Sequence, residues 1–125
     1  MQTFTKSERL CSKVIIDEVF KTGKTISLPL FKLFWIPAPQ VQPYPVQIVI
    51  TVPKRSFKKA VDRNKLKRRI REAYRKNKAP IYAALSPKAY SFMLIYTGKK
   101  IAEYKEIEER IIRLLERFTE EQHVQ

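Results

Sequence analysis

KRSFKKAVDRNKLKRRIREAYRKNK, residues 54–78, is the centre of this chain. It carries half of the 26 Lys and Arg residues but only two acids, Asp62 and Glu72. Leu66, Ile70, Ala73 and Tyr74 recur inside it at helical spacing, which predicts a helix over about residues 62–76. Stepping about 100° per residue from Leu66 sets Leu66, Ile70, Ala73 and Asn77 around an apolar side, with Tyr74 at its border. Asn64, Lys67, Arg68, Arg71 and Arg75 share the polar arc. Lys65, Arg69, Glu72 and Lys76 form the other flank, where Glu72 can pair with Arg68, Arg69 or Lys76. Asp62 can cap the helix or favour its positive N-terminal end.

Cations stacked one turn apart repel one another and weaken a helix, so this arc calls for an anion. Arginine suits forked contacts to phosphate and stacking on bases. Asn64 can donate and accept at once, which suits a ribose hydroxyl or a base edge. A face that served solubility alone would carry balanced charge, as the tail does. Residues 99–125 hold 6 Lys or Arg against 7 Asp or Glu. The net charge of +14 on 125 residues, with a pI near 10.1, therefore reflects a directed basic surface. Its first partner class is nucleic acid, ahead of an anionic membrane surface.

Immediately upstream, Lys54, Arg55, Lys58 and Lys59 make a basic loop into the helix. Phe57 within it reads as a core anchor ahead of a stacking platform. Residues 46–52, VQIVITV, are β-branched and almost wholly apolar, which predicts an interior strand ended by Pro53. Pro37, Pro39, Pro43 and Pro45 rule out regular structure between 37 and 45, a span short enough for a hairpin-like return. Residues 24–37 read as extended, in one strand or two, with Pro29 as a break or edge. Over residues 30–36 alternation puts Phe31, Leu33 and Trp35 on one face and Leu30, Lys32, Phe34 and Ile36 on the other. The second face mixes a cation with an aromatic ring, which is odd for a core and natural for stacking on bases. Core packing and base stacking stand level for Phe34, while for Ile16 and Phe20 core packing stands slightly ahead. Those two belong to a short helix N-capped by Ser12, running through Lys21 and stopped at Gly23.

Downstream, Pro80 opens a short connector with a turn of helix. Residues 89–96, AYSFMLIY, form the last strand, closed by Thr97 and Gly98. A tail helix spans residues 101–122, with Tyr104, Ile107, Ile111, Leu114 and Phe118 on one face and Leu115 beside it. The order is helix, one or two strands, strand, helix, strand, helix. That is an α+β domain with helices laid on a small sheet. One domain covers 1–125, with its ordered core at about 7–118 and flexible termini.

Several chemistries are excluded. Cys11 is the sole cysteine, so there is neither an internal disulfide nor a Cys-based zinc cluster. His123 stands alone in a polar tail. Gly23 and Gly98 are the only glycines, which leaves no glycine-rich phosphate loop. No acid–base pair falls on a common face, so any reaction would be carried out by something other than this chain. The N-terminal stretch lacks a signal-peptide core, and the apolar run at 28–36 is too short to span a bilayer. A soluble cytoplasmic protein is the simplest expectation.

AVDRNKLKRRIREAYR, residues 60–75, closely resembles the signature of the bacterial ribonuclease P protein component family. The matching positions are the Arg63-Asn64 dipeptide, Lys67-Arg68 three residues on, and Arg71-Glu72. Arg9-Leu10, Val19-Phe20-Lys21, Gly23, the aromatic strand and Lys54-Arg55 are also similar to the family, so the likeness covers roughly residues 7–118. The resemblance implies an αβββαβα domain with a small mixed sheet, of the ribosomal protein S5 domain 2-like type. It implies a catalytic P RNA as partner, joined 1:1, and precursor tRNA as substrate. Mg²⁺, held mainly by the RNA, would serve hydrolytic removal of the tRNA 5′ leader, with no metal site and no catalytic residue on this chain. By position, the P RNA surface would comprise Lys54, Arg55, Lys59, Arg63, Asn64, Lys67, Arg68 and Arg71, with Arg75 on the same arc. The leader cleft would comprise Ile16, Phe20, Lys32 and Phe34. Two departures stand out: Ile16 replaces an aromatic ring found in many members, which favours plain apolar contact, and Lys58 stands where many have glycine. The rival expectation is a ribosome-associated or general RNA-binding protein.

Overall fold

The computed structural model describes residues 8–10, 12–38, 45–85 and 88–123. Cys11 and the centre of the proline-rich connection lie outside them. Helix α1, Lys13–Thr22, starts where expected, because the Ser12 hydroxyl accepts from the Ile15 N–H at 3.3 Å. Gly23 ends it at φ −70°, so its role is not a left-handed turn. A Cβ at Gly23 would stand 2.3 Å from the Val19 carbonyl oxygen and 3.1 Å from that of Trp35. Only glycine lets the end of α1 lie this close to the sheet.

Two strands follow, β1 (Lys24–Leu28) and β2 (Phe31–Pro37), paired as an antiparallel hairpin. Leu30 is not on a strand face as expected. It sits in the Pro29-Leu30 turn at φ 74°, a conformation that usually needs glycine. Two contacts hold it there: its carbonyl accepts from the Thr97 N–H at 2.8 Å, and its side chain packs on the core.

The chain continues through β3 (Val46–Thr51), α2 (Ala60–Asn77), α3 (Ala79–Leu85), β4 (Tyr90–Tyr96) and α4 (Tyr104–His123). The short connector is thus a seven-residue helix rather than a single turn. Helix α2 begins two residues earlier than the spacing predicts. Its N-cap is Lys59, which makes no side-chain cap, and Asp62 lies in the first turn. There the acid still complements the helix dipole.

Strand order is β1-β2-β4-β3. Strand β4 is antiparallel to β2 and parallel to β3. Two expectations are corrected here. β2 and β3 are not hairpin partners, since β4 lies between them. β3 is not interior but the last strand of the sheet. Its apolar character follows from cover on both faces: Val46, Ile48 and Ile50 are buried, and the residues between them are half-buried. Its outer edge is met by the N-terminal segment, where Arg9 bridges Ile48 and the Leu10 N–H donates to the Ile48 carbonyl at 2.9 Å.

The sheet register sets the core. Ile26, Leu33, Leu94 and Ile50 form one cross-strand row, and Trp35, Phe92 and Ile48 form the next. Against this face pack Leu66, Ile70 and Ala73 of α2 and Ile107, Ile111, Leu114 and Phe118 of α4. Each of the Leu, Ile and Phe side chains, fully buried, contributes roughly 1.5–3 kcal/mol. Phe118 presents edge-to-face contacts to Trp35 at 5.0 Å, Tyr90 at 5.1 Å and Phe92 at 4.7 Å. Among the described residues no helix is long and apolar enough to cross a membrane.

Candidate nucleic-acid interface

Burial of Leu66, Ile70, Ala73 and Tyr74 fixes the roll of α2 and turns its polar arc outward. Asn64, Arg68 and Arg71 are exposed, while Lys67 and Arg75 are half-buried. Asn64, Arg68, Arg71, Glu72 and Arg75 line an open groove of about 490 Å³, and its remaining wall is Arg9. Sequence spacing could not place Arg9 there, because it reaches α2 through its pairing with β3.

Arg75 does not stand as a bare cation. It is bonded to Glu72 through two nitrogens, at 2.6 and 3.0 Å, and Lys76 lies 3.9 Å from the same carboxylate. Of the partners expected for Glu72, Lys76 is near, but Arg75 at i+3 takes the place of Arg68 and Arg69. The hydrogen bond to Arg75 holds the Glu72 carboxyl below its ordinary range, and Glu72 raises the Arg75 guanidinium in return. Arg69 on the flank donates instead to the Ala102 carbonyl at 2.5 Å, joining α2 to the approach of α4.

Arg63 is also engaged. Its guanidinium donates to the carbonyl oxygens of Phe57 at 2.7 Å and Lys58 at 2.9 Å. It therefore ties the basic loop to the first turn of α2. Phe57 is buried, 7% exposed, with its ring 5.9 Å from that of Tyr96, so it is the anchor expected. Lys54, Arg55, Lys58 and Lys59 all remain exposed on this pinned loop.

The other expected set lies on the opposite face of the sheet. Lys32, Phe34 and Ile36 alternate with the buried Phe31, Leu33 and Trp35, and α1 crosses β2 and β4 on this side. Phe20 of α1 meets Phe34 edge-to-face at 5.4 Å, and the Lys32 ammonium lies 5.1 Å from the centre of the Phe34 ring. Phe20 is 55% exposed, which removes it from the core; Phe34 and Ile16 are half-buried. Ile16 is one turn before Phe20 on the same side of α1. Phe20, Phe34 and Lys32 thus form an aromatic and cationic patch, with Ile16 beside it. Its row Ser27–Lys32–Ile95–Thr51 runs to the end of β3, where the basic loop begins.

Residues 4–119 match the family model for Ribonuclease P. The chain belongs to the ribonuclease P protein family. It is 31% identical to the ribonuclease P protein component of Thermotoga maritima over 122 residues, covering 94% of this chain and 97% of that one. Identity to the Thermotoga petrophila counterpart is 30% over the same coverage. The solved Thermotoga maritima RNase P protein superposes with a TM-score of 0.70 at 27% identity, over 88% of this chain and 96% of that one. The Staphylococcus aureus RNase P protein gives 0.72 at 22% identity, over 89% and 94%. The RNase P signature positions Arg63, Asn64, Lys67, Arg68, Arg71 and Glu72 thus divide by task. Asn64, Arg68 and Arg71 face the groove, Glu72 restrains Arg75, Arg63 holds the loop, and Lys67 stands half-buried outside the groove lining.

Proposed function

We propose that this chain is the RNA-binding subunit of ribonuclease P, assisting removal of the 5′ leader from precursor tRNA. Family membership supports a part in tRNA processing and association with an RNA subunit. The observation that carries the finer reading is the division of the sheet. One face backs the cationic groove of α2, and the other bears the contacting Phe20, Phe34 and Lys32.

In this reading the exposed loop cations and Asn64, Arg68 and Arg71 bind the catalytic P RNA, chiefly through phosphates. Phe34 and Phe20 offer ring faces to the unpaired bases of the leader, Lys32 meets its backbone, and Ile16 adds apolar contact. The chain binds and orients, and the RNA carries out hydrolysis with Mg²⁺. The groove residues do not fit that ion. Four of the six are cationic arginines, and the one carboxylate, Glu72, is tied to Arg75, whereas Mg²⁺ takes several oxygen ligands.

The test is reconstitution. Adding the protein to its cognate P RNA at low Mg²⁺ speeds leader removal, and the protein alone cleaves nothing. Absence of stimulation at every Mg²⁺ concentration overturns the reading in favour of a general RNA-binding protein.

A further inference from the structure

The segment carrying Glu8, Arg9 and Leu10 is held with unusual care for an approach to a first helix. Glu8 is fully buried and Leu10 is 4% exposed, while Arg9 between them is exposed. The alternation is that of a strand, and the segment pairs with β3 at Ile48. The Glu8 carboxylate accepts from the Lys78 ammonium at 2.5 Å and from the Tyr82 hydroxyl at 2.5 Å. The Tyr82 hydroxyl lies 3.1 Å from that of Tyr74. These partners come from the end of α2, from α3 and from the buried face of α2.

A buried ion pair is a poor source of net stability, since apolar residues of like size serve as well. What it supplies here is register. A slip of one residue would turn Glu8 to solvent and Arg9 toward Lys78. The pair therefore fixes Arg9 outward, where it walls the groove opposite Asn64, Arg68, Arg71 and Arg75.

We propose that Arg9 is a phosphate-contacting residue of the RNA-binding groove and that Glu8 is its positioning residue, acting through Lys78 and Tyr82. This rests on the reading of α2 as the P RNA face. The α2 side of the groove then grips one flank of an RNA backbone, and the N-terminal segment grips the other.

The experiment measures the dissociation constant of the full-length chain for its cognate P RNA across a series of KCl concentrations, alongside thermal melts. Arg9→Ala lowers the log–log salt slope by about 0.7–0.9, as Arg68→Ala does, without shifting the melt. Arg9→Lys keeps the slope. Glu8→Gln loses the same slope although Arg9 is intact, and adding Arg9→Ala to it removes no more. Tyr82→Phe, a milder change, gives a smaller loss in the same direction and serves if Glu8→Gln does not fold. An unchanged slope in Arg9→Ala, with a reduced one in Arg68→Ala, overturns the proposal while leaving the face intact. If neither slope changes, the P RNA face itself is misassigned and the proposal falls with it.

Discussion

The Arg63 guanidinium bonds the carbonyl oxygens of Phe57 and Lys58, closing the basic loop onto the start of α2. The first residue of the Arg-Asn dipeptide thus acts as a brace for its neighbours. Arg63→Ala should lower stability by about 1–2 kcal/mol, since charged hydrogen bonds are lost. With the loop cations no longer held, the salt slope for P RNA should drop by more than the single unit expected of one phosphate contact. A drop of about one with unchanged stability would make Arg63 a direct contact instead.

Phe20 and Phe34 are joined edge-to-face at 5.4 Å. Phe34→Ala should weaken binding of leader-bearing tRNA by about 1–3 kcal/mol. Mature tRNA, which has no leader, should bind as before. Equal losses with both ligands would return Phe34 to a packing role. A stability cycle over Phe20→Ala and Phe34→Ala should show a coupling of about 0.5–1.5 kcal/mol.

Gly23 admits no side chain, because a Cβ would stand 2.3 Å from the Val19 carbonyl oxygen. Its φ of −70° suits any residue, so the obstacle is contact alone. Gly23→Ala should destabilise by about 1–3 kcal/mol through displaced backbone. The displacement lifts α1 from the sheet. Leader affinity should therefore fall more than P RNA affinity. Equal effects on both would show that α1 does not shape the leader-binding patch.

Burial drives the Tyr74 phenol well above its ordinary pKa of 10.0, and burial does the same to Tyr82 with help from Tyr74 and Glu8. Burial also pushes Tyr104 up to about 12. The unfolded chain ionises these groups near pH 10, while the folded chain keeps them protonated. Their contribution is therefore intact below pH 10 and is lost as pH rises toward the folded values. Unfolding free energy should decline above pH 10, with Tyr74 adding up to about 1.4 kcal/mol per pH unit. Tyr74→Phe should flatten that decline in urea titrations from pH 9 to 11. Parallel curves for the two proteins would place the loss in other groups.

The long periodic elements were legible because one physical signal dominates each. Leu66, Ile70 and Ala73 announce α2, and Ile107 through Phe118 announce α4. Alternation along β2 separated Phe34 and Lys32 from Trp35 correctly. Where two causes give one pattern, the sequence misled. Val46–Thr51 looked central because both of its faces are covered, yet it is the last strand. Leu30 carries no mark of a left-handed turn, as glycine or asparagine would. Helical spacing allowed Glu72 several cations, and only side-chain geometry selected Arg75. Glu8 gave no local signal and Arg9 stood out only in the likeness to the family, because their partners lie on β3, α2 and α3.

Strand β4 lies between β2 and β3, although the chain makes it after both. Until it emerges from the ribosome, the β1–β2 hairpin and β3 have no hydrogen-bonded strand in common. Helices α2 and α3 are synthesised in that interval, so the cationic segment leaves the ribosome before α4, against which it packs. Closure of the sheet is a late, long-range event of the kind that slows folding. A chain cut before Tyr90 would be two unjoined pieces rather than a smaller domain.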